Sequence, residues 1–143
     1  MIGNLHDGVK HKKYIGHTAA GTDGSAVASS ALATAGFDRV RVCIELGTVT
    51  SGGVIEASIS GCATASGDFV DIVSLGDSGY TATGKSEGTI ILDCPLGNGA
   101  EFIKVNYKRK TANIELDGIT LDFYSTDVVP VVQDSSVAKI VAV

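Results

Sequence analysis

Apolar residues recur at every second position along most of the chain, the repeat of a half-buried β-strand. In residues 39–46, Val40, Val42, Ile44 and Leu46 share one face, and Arg39, Arg41, Cys43 and Glu45 share the other. The turn-type run Thr50-Ser51-Gly52-Gly53 follows, and residues 54–60 resume with Ile55, Ala57 and Ile59 in phase. The pattern predicts that these two segments pair as a hairpin. Residues 89–94 form a further strand, closed by Pro95 and Gly97-Asn98-Gly99. In residues 101–109, Ile103, Val105 and Tyr107 oppose Phe102, Lys104, Asn106 and Lys108. In residues 111–124, Ile114 and Leu116 fall on even positions, whereas Ile119, Leu121 and Phe123 fall on odd ones. A phase change across Asp117-Gly118 predicts a β-bulge or tight turn there.

Weaker strands are predicted over residues 13–18, 26–32 and 79–83, and a short helical turn over 68–73. No amphipathic helix of normal length is present. Roughly seven to nine short strands separated by turn signals predict an all-β chain folded as a single-domain β-sandwich or jelly roll. Residues 1–12 are polar, with the cluster Lys10-His11-Lys12-Lys13, and read as an extended N-terminal arm. The sandwich is expected over 13–134 and a C-terminal tail over 135–143. That tail ends Ala138-Lys139-Ile140-Val141-Ala142-Val143, too apolar to leave in water, so it is expected to add a strand to its own sheet or to dock on a neighbour.

Composition narrows the function. Charged residues make up 19% of the 143, against about 25% in ordinary domains, so the surface is sparse in charge. A net charge of −5 argues against a nucleic-acid partner, which needs a dominant basic patch. No apolar run has the length of a membrane helix, and no hydrophobic segment follows the N-terminal lysines as a signal peptide requires. Cys43, Cys62 and Cys94 are odd in number and widely spaced, which fits reduced thiols better than a disulfide frame or a zinc site.

Several motifs suggest chemistry and lack its context. Gly79-Tyr80-Thr81-Ala82-Thr83-Gly84-Lys85-Ser86 satisfies the phosphate-loop pattern. That loop must run into a helix N-terminus, but Gly88 and the β-branched run after it predict a strand. His6, His11 and His17 lack metal-ligand spacing and read as solvated histidines. Cys43 lies mid-strand, where an inert thiol is the default. Asp68 with Asp71, Asp117 with Asp122, and Asp77 read as turn carboxylates rather than acid–base pairs. Lys108-Arg109-Lys110 is expected at a solvated hairpin tip, where it offers an ionic contact to an acidic neighbour. No catalytic, cofactor or metal residue is assigned, and the chain is not expected to be an enzyme.

Two stretches carry a resemblance. Gly36-Phe37-Asp38-Arg39-Val40 runs into Val42-Cys43-Ile44-Glu45-Leu46-Gly47-Thr48-Val49-Thr50. Phe102-Ile103-Lys104-Val105 leads on to Ala112-Asn113-Ile114-Glu115-Leu116-Asp117-Gly118-Ile119, and Pro130-Val131-Val132-Gln133-Asp134 follows. These short motifs, spanning residues 36–134, resemble those of cement or decoration proteins of tailed-bacteriophage heads, jelly-roll types among them. Residues 62–85 and the N-terminal basic cluster depart from that pattern. The resemblance implies a structural virion protein, made in the host cytoplasm, that binds the major capsid protein on the outside of the head and needs no cofactor. Capsid symmetry favours a homodimer, with a trimer as the alternative. Expected contacts with the shell or a second copy are Lys10, Lys12, Lys13, Lys108, Arg109, Lys110, Ile140, Val141 and Val143. The alternatives are a head–tail joining or tail-tube protein, and a carbohydrate-binding β-sandwich. The absence of Trp, with 4 Tyr and 4 Phe, disfavours the carbohydrate reading.

Overall fold

The computed structural model describes residues 8–82, 88–97 and 99–126. Its strands are β1 (Lys10–Ile15), β2 (Thr18–Gly21), β3 (Val27–Ala28), β4 (Leu32–Ala33), β5 (Phe37–Val49), β6 (Val54–Cys62), β7 (Val70–Ser74), β8 (Tyr80–Thr81), β9 (Gly88–Pro95), β10 (Phe102–Lys110) and β11 (Ile114–Thr126). One antiparallel sheet runs β1-β11-β5-β9, with β2 continuing the β1 edge along β11. The second runs β3-β10-β6-β7, with β4 continuing β3 along β10 and β8 beside β7 along β6. Counting each broken edge strand once leaves eight strands, in two interlocked Greek keys, whose every connection crosses between the sheets except the one from β6 to β7. That is the jelly roll expected from the alternation.

The core lies between the sheets. Val40, Val42, Ile44, Ile55, Ile59, Ile103, Val105, Ile119 and Leu121 are all fully buried, each on the inward phase that its strand pattern assigned. Phe123 closes one end, its ring centroid 5.8 Å from that of Phe37.

Four expectations need correction. Strands β5 and β6 do not pair: β5 lies between β11 and β9, and β6 between β10 and β7. The turn at 50–53 therefore crosses from one sheet to the other. Gly52 takes φ +87 there, and Gly53 N–H donates to the Thr50 carbonyl at 2.9 Å. Residues 70–74 form strand β7 rather than a helical turn, with Ile72 bulged between Val73↔Ile59 and Asp71↔Ser60. Strand β1 starts at Lys10, inside the segment read as an arm. Strand 26–32 is split into β3 and β4, because Ser29 turns its hydroxyl onto Val105 N–H at 2.9 Å between them.

The bulge at Asp117 is present. Leu116 pairs with Leu46 and Gly118 with Glu45, so Asp117 is the extra residue. One step earlier β5 carries the opposite excess, because Ile114 pairs with Val49 and Leu116 with Leu46. The two irregularities cancel, and the ladder continues in register to Thr126↔Phe37.

Candidate interaction surface

The expected contact residues separate in space. Lys10, Lys12 and Lys13 lie on edge strand β1, paired with Phe123, Leu121 and Thr120. Lys108, Arg109 and Lys110 end β10, where the chain crosses between sheets and makes no hairpin. Arg109 is not a surface contact: its side chain is 7% exposed and that of its partner Asp23 12%. Its Nε and Nη2 donate to the two Asp23 oxygens at 2.9 and 3.0 Å, and Nη1 donates to the Ala19 and Ile114 carbonyls. The Arg109 hydrogen bond holds the Asp23 carboxyl below its ordinary pKa. This pair ties the loop before β3 to the end of β10. Lys110 is held by Glu56 and by the Asp77 carbonyl. Lys108 lines a shallow groove of 120 Å³ with Glu56, Ser58, Asp71 and Asn106. Ile140, Val141 and Val143 lie outside the described residues.

The other motifs resolve in the same way. Residues 83–86 of the phosphate-loop match lie outside the described residues, and strand β9 begins at Gly88, where a phosphate site needs a helix N-terminus. His6 also lies outside. His11 and His17 go to different carboxylates, Nδ1 of His11 to Asp122 at 2.5 Å and Nδ1 of His17 to Asp117 at 3.8 Å. Burial raises the Cys43 thiol pKa and pushes that of Cys94 up to about 11, as expected of unreactive thiols.

The outer face of the first sheet carries a polar network. Arg39 Nε donates to the Tyr124 hydroxyl at 2.9 Å, Arg39 Nη2 to Asp93 at 2.8 Å, and the Tyr124 hydroxyl to Asp93. Burial pushes the Asp93 pKa up, but the hydrogen bonds from Tyr124 and Arg39 outweigh it and leave the carboxyl below its usual range.

The surface feature that the strand patterns did not single out is apolar. Among the described residues the exposed large hydrophobic side chains are Val70, Ile72, Tyr80 and Ile91. Val70 and Ile72 lie on β7, Tyr80 on β8 and Ile91 on β9. Strands β7 and β9 are the last strands of their sheets on the same side of the sandwich and lie against each other. All four residues thus lie on strands at one flank of the sandwich, where the edge backbone of β9 and of β7 pairs with no further strand among the described residues. One signal was legible: Ile91 is out of phase with Leu92 and Cys94, both buried.

Among the described residues no helix is long and apolar enough to cross a membrane. No protein-family model and no curated protein matches the chain. Among solved structures it is similar to Eiger TNF from S. frugiperda, with 8% identity, 94% of this chain and 99% of that chain covered, and a TM-score of 0.36. A likeness at that level carries no functional argument.

Proposed function

We propose that this protein is a structural virion component, a cement or decoration protein that binds the outside of a tailed-phage head. One observation carries the reading. The exposed large apolar residues among those described all lie on the β7–β8–β9 flank, at two sheet edges that no further described strand covers. Apolar side chains grouped beside unpaired backbone suit a docking contact, because an edge can add strands to a neighbour while the side chains lose water. The low share of charged residues, 19%, and the resemblance of residues 36–134 to motifs of phage head proteins support the same reading. A protein that binds only the expanded shell stabilises it by mass action, and many copies multiply the gain. A homodimer suits two-fold positions on such a shell.

The test is co-sedimentation with expanded, undecorated heads of the phage that encodes the chain. Saturable pelleting at a fixed ratio to capsid protein is expected, and it should be lost when Val70→Asp and Ile91→Asp are combined. No pelleting at micromolar protein, where a contact of about 8 kcal/mol would register, removes the reading and brings a head–tail joining or tail-tube role forward.

A further inference from the structure

The pairing Thr18↔Leu116 places His17, the last residue before β2, opposite Asp117, the extra residue of the β11 bulge. Glu115 lies two residues before Asp117, on the same face of β11. One donor atom from each of His17, Glu115 and Asp117 lies within 4.8 Å of the other two. Nothing stands between the carboxylates and the sheet, because the residue beneath them is Gly47. A Cβ there would overlap Glu115 Oε1 and come within 2.8 Å of Asp117 Oδ1. Glu115 Oε1 is anchored at 3.3 Å by the Thr48 N–H, and His17 Nδ1 is 3.8 Å from Asp117 Oδ1. Lys13 extends its ammonium toward Gly16, the residue before His17.

We propose that His17, Glu115 and Asp117 form a binding site for a divalent transition metal, with Zn²⁺ the best fit. The imidazole separates this group from an ordinary run of exposed acids. One neutral nitrogen with two carboxylates is a borderline donor set that suits zinc, whereas calcium and magnesium take oxygen throughout. Glu115 and Asp117 belong to β11, and His17 lies in the two-residue break between β1 and β2, held on either side by the pairs Ile15↔Ile119 and Thr18↔Leu116. Zinc holds tetrahedral N and O ligands about 3.4 Å apart, so the donors, all within 4.8 Å of one another, need close by at most about 1.4 Å. His17 and Asp117 side chains are 61% and 53% exposed and can turn to do so. A water completes the fourth position from the open side. The bound ion would join the β1–β2 corner to the bulge of β11 and offset the repulsion between the two carboxylates. This proposal is independent of any contact with a capsid.

The experiment titrates zinc chloride into the chelator-treated full chain, followed by calorimetry and by thermal unfolding. One equivalent should bind, and free zinc at about a hundred times Kd should raise Tm by roughly 9 °C. His17→Ala and Glu115→Gln should each abolish the shift, while Asp122→Asn, at the His11 pair, should retain it. Cys62→Ser should also retain it, which separates this site from adventitious thiol binding. The proposal is overturned if Tm is unmoved up to about 1 mM zinc, a concentration that would reveal even weak sites, or if His17→Ala responds like the wild type.

Discussion

Removal of the Asp23 carboxylate tests how the loops are tied to the sandwich. In Asp23→Ala the Arg109 guanidinium keeps its bonds to the Ala19 and Ile114 carbonyls but loses the acceptor for Nε, the acceptor for Nη2 and the counter-charge paired with it. The Arg109 backbone N–H also loses its 2.9 Å bond to Asp23 Oδ2. With the Arg109 side chain 7% exposed, water can replace little of this. Breaking a buried pair from one side costs about 3–5 kcal/mol, a large share of the roughly 5–15 kcal/mol that holds a domain together. Urea unfolding should show that loss as a lower midpoint with an unchanged slope. Replacing both partners, as Asp23→Ala with Arg109→Met, removes the stranded charge and should recover most of the stability. Acid adds a second readout. The folded Asp23 pKa is lowered, first by the Arg109 hydrogen bond, so its stabilisation is complete above the unfolded value of about 3.9 and is lost as pH falls through the folded one. Below about pH 4 the wild type should therefore lose stability more steeply than the double variant. A loss under about 1 kcal/mol in Asp23→Ala, the range of exposed pairs, would show that the guanidinium is solvated and the reasoning wrong.

Three further outcomes are expected. Gly79 has φ +56, and a Cβ there would overlap the Ile55 carbonyl oxygen, so Gly79→Ala should cost at least about 2 kcal/mol in urea unfolding; a neutral result would mean that the β8 turn does not hold this geometry. Cys94 is 2% exposed with its thiol pKa pushed up to about 11, so a disulfide reagent at about pH 8 should leave it unmodified until the chain unfolds; mass spectrometry showing native labelling at Cys94 would contradict this. Lys110→Ala should cost about 1 kcal/mol or less, because Lys110 and Glu56 keep 35% and 28% of their side-chain surface in water, and a loss as large as that of Asp23→Ala would overturn the contrast.

The alternation of side chains determined which residues face the core. A strand must send neighbours to opposite faces, so the inward sets Val40-Val42-Ile44, Ile103-Val105 and Ile119-Leu121 were legible before any pairing was known. The bulge at Asp117 was legible for the same reason, as a change of phase inside one strand. Pairing was not legible. The period-two pattern of β5 is the same whether β6 lies beside it or across the core, because both arrangements bury the same face. The short turn at 50–53 suggested a hairpin, and only the competition of β11 and β9 for the β5 edges sent β6 to the other sheet. Ile72 escaped the pattern because its bulge breaks the alternation that would have marked β7 as a strand.

The candidate sites follow the same division. Arg109 continues the inward phase of Tyr107, Val105 and Ile103, a position where a charge is tolerated only if a partner is buried with it. That partner, Asp23, is 86 residues away in the chain, beyond the reach of any local pattern. His17 likewise read as a solvated histidine until the β2–β11 register brought it opposite Asp117. Local pattern decides the face of each side chain, because that depends on its own backbone. Which distant groups share a face depends on strand register, which only the packed tertiary structure sets.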